Sequence, residues 1–181
     1  MNLLAAVIIA LWVALPTYIP NNVAVLAGGG QPIDGGRTFR GARLLGDGKT
    51  WRGAIAGIAG GAMIALLLNA MHSQLTGILG IDMPVFPAAI VIAFPTGAIL
   101  GDILASFVKR RTGRERGSVF PLVDQLDFLL VALLFGLLVR PDWMIEVFTP
   151  LILVVVLLLT PLLHVSTNIV AYLLGLKNEP W

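Results

Sequence analysis

The chain has 181 residues, of which 57% are hydrophobic and only 12% charged, and its mean hydropathy is +0.92. That is too apolar for a soluble domain of this size and marks an integral membrane protein. Cysteine is absent, which removes disulfides, thiolate nucleophiles and cysteine-based zinc sites. A net charge of +2 gives no case for nucleic-acid binding despite a pI near 9.4, and the distribution of the charge carries more information than its sum.

A membrane-crossing helix needs about 20 mainly apolar residues, and five such runs are present: about 2–20, 53–71, 84–108, 121–139 and 144–175. No ten-residue alternating pattern appears, so the expected fold is all-α, with about five transmembrane helices in one domain spanning 1–181. The first run has no basic start and no small-residue cleavage site after it, so it reads as a retained helix.

The segment 21–52 follows, rich in glycine and basic residues and without a helical or strand period. A loop this long in a small protein is functional or disordered. Its "GDGKT" is not a P-loop, because the first glycine of that motif would fall on Arg43 and no strand precedes it. Backbone N–H groups of such a segment can surround phosphates.

The second run places Gly53, Gly57 and Gly61 on one face, a spacing read as close helix packing. In the third run Pro95 predicts a kink, and Asp102 precedes the run's basic end by six or seven residues, about 9 Å into the helix. Asp127 follows Pro121, the expected start of the fourth run, by six residues, so the two aspartates should share a depth. The fifth run, at about 48 Å, must tilt, bend at Pro150 or Pro161, or project.

Five basic residues (Arg37, Arg40, Arg43, Lys49 and Arg52) lie in the loop 21–52, and five more (Lys109, Arg110, Arg111, Arg114 and Arg116) lie in the loop 109–120. Lys177 lies in the tail and Arg140 stands alone on the other side. The positive-inside rule then puts both loops and the C-terminus in the cytoplasm and the N-terminus outside the cell membrane.

A carboxylate inside a bilayer helix costs roughly 2.5–3.5 kcal/mol at mid-membrane and marks function by default. Asp124 and Asp127 share a face of the fourth run, and Asp102, Ser106 and Lys109 share one of the third. Three carboxylates and a lysine around one shallow cavity either raise one another's pKa or hold a cation. Oxygen ligands without nearby His or Cys select Mg²⁺ or Mn²⁺, the ions that accompany nucleotide phosphates. The competing reading has Asp124 and Asp127 complementing a helix N-terminus and the basic loop enforcing topology, which leaves Asp102 without a reason.

The residues "GD" at 101–102, "SFVKRR" at 106–111, Gly113, Gly117 and "PLVDQLDF" at 121–128 resemble the archaeal CDP-archaeol synthases, relatives of the CDP-diacylglycerol synthases. The resemblance extends to "PNN" at 20–22, "PIDGG" at 32–36, "GDGKTWRG" at 46–53 and the closing "LKNEPW" at 176–181. Against the bacterial signature, Ser106, Lys109, Arg110, Asp124 and Asp127 fall into place. Its Lys-Asp pair becomes Glu115 and Arg116, its His-Gly-Gly is missing, and its Asp-Arg-x-Asp becomes "DQLD", departures that favour the archaeal branch.

The resemblance implies transfer of CMP from CTP to an isoprenoid ether-lipid phosphate, di-O-geranylgeranylglyceryl phosphate, giving CDP-archaeol and pyrophosphate. It implies Asp102, Asp124 and Asp127 on Mg²⁺, and Lys109, Arg110 and Arg111 on CTP or lipid phosphate. Asn21, Asp34, Gly35, Gly36 and Lys49 would cover the nucleotide. His72 is expected in the outer loop without a role, and His164, Ser166 and Asn168 are expected to make interhelical hydrogen bonds rather than substrate contacts. A small transporter is the competing non-enzyme reading. A CDP-alcohol phosphotransferase fails at the start of its signature, since Asp34 and Gly35 are followed by "GRTF".

Overall fold

The computed structural model describes residues 2–113, 123–173 and 175. Expectations on Arg114, Glu115, Arg116, Gly117, Pro121 and the closing "LKNEPW" with Lys177 lie outside the described residues. In chain order the helices are α1 (Leu3–Leu26), α2 (Trp51–Leu79), α3 (Ala88–Arg111), α4 (Val123–Val139), α5 (Pro141–Val147) and α6 (Pro150–Leu173). Two short strands, β1 (Thr38–Phe39) and β2 (Ala42–Arg43), lie between α1 and α2. Helices α1, α2, α3 and α6 are long and apolar enough to cross a bilayer. Seventeen residues of α4 are described, and that helix packs closely on α3.

Glycine lets the helices approach so closely. A β-carbon added at Gly53, Gly57 or Gly61 would stand 2.8, 2.6 or 2.7 Å from the backbone oxygens of Ala24, Pro20 and Pro16 in turn, one α1 turn per α2 turn. Pro20 has no N–H to give Pro16 O, and the Cα–H of Gly61 faces that orphaned carbonyl instead. This is why α1 continues through Pro16 and Pro20 to Leu26, past the expected end at 20.

A second seam was not anticipated. Added β-carbons at Gly97 and Gly101 of α3 would stand 2.5 Å from Ala132 Cα and 2.5 Å from Asp127 O of α4. The small-xxx-small spacing thus joins the two helices that carry the aspartates.

Two expected boundaries move for backbone reasons. Helix α2 runs on to Leu79 and ends at Gly80, whose φ of 62° supplies the left-handed cap, so His72 is a helical residue and not a loop residue. The stretch 81–87 is extended, because Pro84 and Pro87 cannot donate to a helix, and α3 starts only at Ala88. The run taken as one span from 144 is divided into α5 and α6 by the break before Pro150.

The 81–87 segment plugs the end of the bundle opposite the basic loops. Asn69 of α2 satisfies both backbone groups of Phe86, each at 2.8 Å. Trp12 and Trp143 donate their indole N–H groups to Pro84 O and Val85 O at 2.9 Å. Phe86, Trp143, Phe94 and Phe148 then pack edge to face or tilted in the core below. The carbonyls of Pro84, Val85 and Phe86 and the N–H of Phe86 are therefore satisfied inside the protein, as a membrane interior demands.

Candidate active site

At the basic end, the first loop is a folded cap. Its ends are tied by hydrogen bonds from Ile33 N to Lys49 O (2.8 Å) and from Trp51 N to Gln31 O (3.2 Å). The hairpin β1–β2 pairs Thr38 with Arg43 and Phe39 with Ala42. Its tip residues Arg40 and Gly41 both have positive φ, 53° and 78°, the type I′ geometry that suits a two-residue hairpin.

Asp34 organises this cap from inside. Its side chain is only 1% exposed and lies 2.8 Å from the Arg43 guanidinium, and it accepts from the backbone N–H groups of Gly36, Leu45 and Gly46 at 3.0–3.3 Å. Asp34, Gly35 and Gly36, expected to cover a nucleotide, lie in this cap. The glycine-rich amides surround the chain's own carboxylate, and Asp34 and Gly35 border a separate 460 Å³ cavity on the loop's other side. Arg111 also serves the cap: it donates to Phe39 O and Arg43 O at 2.9 Å and stacks on Phe39 and Phe107. Its guanidinium is directed at hairpin carbonyls and not at the cavity of the three aspartates.

The Arg43 guanidinium holds the Asp34 carboxyl well below the usual carboxylate range, the three backbone donors add to this, and burial works the other way. A carboxyl with a depressed folded pKa stabilises fully above its unfolded pKa, near 4, and that contribution is lost as pH falls through the lower folded value. Amide protection factors at Gly36, Leu45 and Gly46, taken relative to the intrinsic exchange rate at each pH, should therefore stay high at pH 5 and 7 and fall only below about 4. In Asp34→Asn, which loses the charge, protection should be low throughout this range.

Below the cap, Asp102 of α3 and Asp124 and Asp127 of α4 line one cavity of 350 Å³. The seam at Gly101 brings them together, because it fixes α3 against the turn of α4 that holds Asp127. Lys49 of the cap reaches down to form an ion pair with Asp102, and Lys109 pairs with Asp124 at 2.6 Å. Asp127 Oδ1 accepts from Phe128 N at 2.6 Å. Arg110 lies beneath the loop, with its guanidinium 3.9 Å from where a Gly46 side chain would begin.

Asn21 borders both this cavity and a smaller one above it that also reaches Lys49 and Asp102, and its Oδ1 is buried without a hydrogen-bond partner. The remaining wall comes from α6: Thr160, Leu163, His164, Thr167 and Asn168. His164 and Asn168, expected to make interhelical hydrogen bonds, also line this cavity together with the aspartates. Their spacing of four in an apolar helix was the available signal. The Tyr18 and Thr160 hydroxyls meet at 2.8 Å beside it. Thr160 gives its own proton to Val156 O, which leaves Tyr18 as the donor.

Among the described residues no three acidic or histidine side chains are gathered tightly enough to form a ready-made ion site. The donor set is nevertheless oxygen-rich and free of sulfur, and Mg²⁺ commonly takes only one or two carboxylates alongside phosphates and water.

A family model described as "CarS-like: CDP-archaeol synthase" matches residues 2–181. The chain belongs to the CDP-archaeol synthase family. Relatives named CDP-archaeol synthase include one from Halorubrum lacusprofundi, 61% identical over 95% of this chain and 96% of its own length. Another, from Halobacterium salinarum, is 54% identical over the whole of both chains, and one from Methanosarcina barkeri is 48% identical over 92% of this chain and 99% of its own. A solved structure described as an intramembrane enzyme for archaeal membrane lipid biosynthesis superposes with a TM-score of 0.68 at 38% identity, covering 88% of this chain and 92% of that one. Membership of the family makes this chain an integral membrane enzyme.

Proposed function

We propose that the chain transfers CMP from CTP to an isoprenoid ether-lipid phosphate, releasing pyrophosphate and leaving CDP-archaeol in the bilayer. The observation that carries this reading is the convergence of Asp102, Asp124 and Asp127 on one cavity walled also by α6, where Lys49 of the cap pairs with Asp102 and Lys109 of α3 pairs with Asp124. A lipid phosphate oxygen forms a bond to the α-phosphorus of CTP while the bond from that phosphorus to the β-phosphate oxygen breaks, and the electron pair leaves with pyrophosphate. The acceptor is largely dianionic at neutral pH, so the chain needs neither a protein nucleophile nor a base.

What the chain supplies is placement and charge balance. Asp102, Asp124 and Asp127 would hold Mg²⁺, or Mn²⁺, which when bound neutralises the triphosphate and polarises its phosphoryl oxygens. Lys49, Lys109 and Arg110 line the approach from the basic end and suit the triphosphate, and Asn21 offers its buried Oδ1 to a donor such as an amino or hydroxyl group of the nucleoside. With α4 as a fifth span, both basic loops lie in the cytoplasm and the N-terminus outside.

The deciding assay combines purified protein, labelled CTP, Mg²⁺ and the ether-lipid phosphate in bilayer discs. CDP-lipid and pyrophosphate should appear in equal amounts. CTP hydrolysis without lipid product would overturn the proposal.

A further inference from the structure

Two of the three carboxylates in the cavity already hold a cation of the chain's own, Lys49 on Asp102 and Lys109 on Asp124. The first pair joins the cap to α3, between residues 53 positions apart. The backbone of Lys49 is fixed: its N–H donates to Gly46 O at 3.3 Å and its carbonyl accepts from Ile33 N at 2.8 Å. The next residue, Thr50, caps α2 by accepting from Gly53 N. What can move is the four-carbon stem and its ammonium, a point charge able to turn from one anion to another.

Its surroundings give that movement a use. Lys49 and Asp102 both border the smaller upper cavity, and Asp102 also borders the cavity of the aspartates below. The ammonium therefore stands between the metal-binding carboxylates and a polyphosphate arriving from the basic end. Both side chains keep partial exposure, 25% and 29%, so an incoming ligand can reach either.

We propose that Lys49 is a positioning residue that guards Asp102: it holds this carboxylate until a nucleoside triphosphate takes the ammonium, and then releases it to a divalent ion. This rests on the CMP-transfer reading and adds an order of events to it. Lys49 opposes a divalent ion that arrives alone, because both need the same carboxylate. A triphosphate offers the ammonium a substitute partner in charge-assisted hydrogen bonds and so frees Asp102. The two ligands then bind with positive coupling, and by linkage each strengthens the other by the same factor. Because Lys49 is rooted in the cap, the exchange of partners is felt there as well: loss of Asp102 loosens the base of the cap, and the triphosphate restores it.

The test uses the full chain in bilayer discs with Mn²⁺ and CTP but no lipid acceptor, and counts bound Mn²⁺ by spin resonance. Lys49→Met keeps the stem and removes the ammonium. It should bind Mn²⁺ alone about tenfold more tightly than wild type and CTP about tenfold more weakly. The gain in Mn²⁺ affinity on adding CTP should shrink accordingly; direct contact between ion and phosphate is common to both proteins and cancels in the comparison. Lys49→Arg keeps the charge and should restore most of the wild-type behaviour. Arg37→Gln removes a cap charge that borders the other cavity and should leave both affinities within about twofold. A second readout separates guarding from mere structure. In wild type Mn²⁺ alone should speed amide exchange at Ile33 and Trp51, whose bonds tie the base of the cap, and CTP with Mn²⁺ should slow it again. In Lys49→Met, Mn²⁺ alone should change nothing there. Unchanged or weaker Mn²⁺ binding by Lys49→Met, an equal gain in Arg37→Gln, or wild-type exchange indifferent to Mn²⁺ would each overturn the proposal. If wild type makes no CDP-lipid once acceptor is added, the CMP-transfer reading fails, while the binding measurements still decide whether Lys49 and a divalent ion compete for Asp102.

Discussion

Asp127→Asn is expected to lose turnover by about 10³-fold or more, with the protein still folded. Asparagine keeps the shape of the side chain and its acceptor oxygen, so the 2.6 Å contact with Phe128 N survives, and what disappears is one negative charge in the cavity. If Asp127 holds a divalent ion against a triphosphate, that charge has no substitute nearby, because Asp102 and Asp124 already face Lys49 and Lys109. Asp102→Asn should be comparably inactive, with a second effect: it leaves Lys49 without its carboxylate, so the cap should exchange its amides faster as well. Pyrophosphate release together with the elution profile in detergent checks both variants. Near-normal rates in the pair would remove these carboxylates from the chemistry.

Gly101→Val should be the most damaging change to the fold. The first atom of any side chain there would stand 2.5 Å from Asp127 O and 2.7 Å from Phe128 Cα. Both are backbone atoms that no rotamer change can clear, so α4 must shift as a body. Overpacking of this kind costs about 1–3 kcal/mol for small additions and more for branched ones, which for a chain of this length lowers Tm by about 5–10 °C. Activity should fall with it, since the turn pushed away carries Asp127. Gly77→Ala is the control: nothing lies within 4 Å of its added carbon, and alanine in a helix should leave Tm unchanged or slightly raised.

Much of this architecture was legible in the residues. Apolar runs located the long helices, because hydrocarbon demands a minimum length of apolar side chains. The Gly53, Gly57 and Gly61 ladder was readable as packing. Asp102, Asp124 and Asp127 could be placed at one depth by counting turns, and they line one cavity.

What was hidden depends on partners distant in sequence or on backbone rather than composition. Hydropathy reports where a chain meets lipid, not where its hydrogen bonding changes, so the ends of α1 and α2 and the extended 81–87 segment escaped it. Lys49 and Asp102 are 53 residues apart, and nothing local marks them as a pair. Nor does anything local show that the loop's backbone N–H groups, read as able to surround phosphates, also bind the carboxylate of Asp34.

The plug formed by 81–87 has a consequence for the cell. Tryptophan and asparagine side chains bind the backbone of Pro84, Val85 and Phe86, and an aromatic cluster backs them, so this end of the chamber is packed shut. Reactants then enter from the basic end or from the bilayer, and not through the opposite surface. A polar chamber closed at that end can thus sit in an energised membrane without short-circuiting it, and abundance carries no bioenergetic penalty.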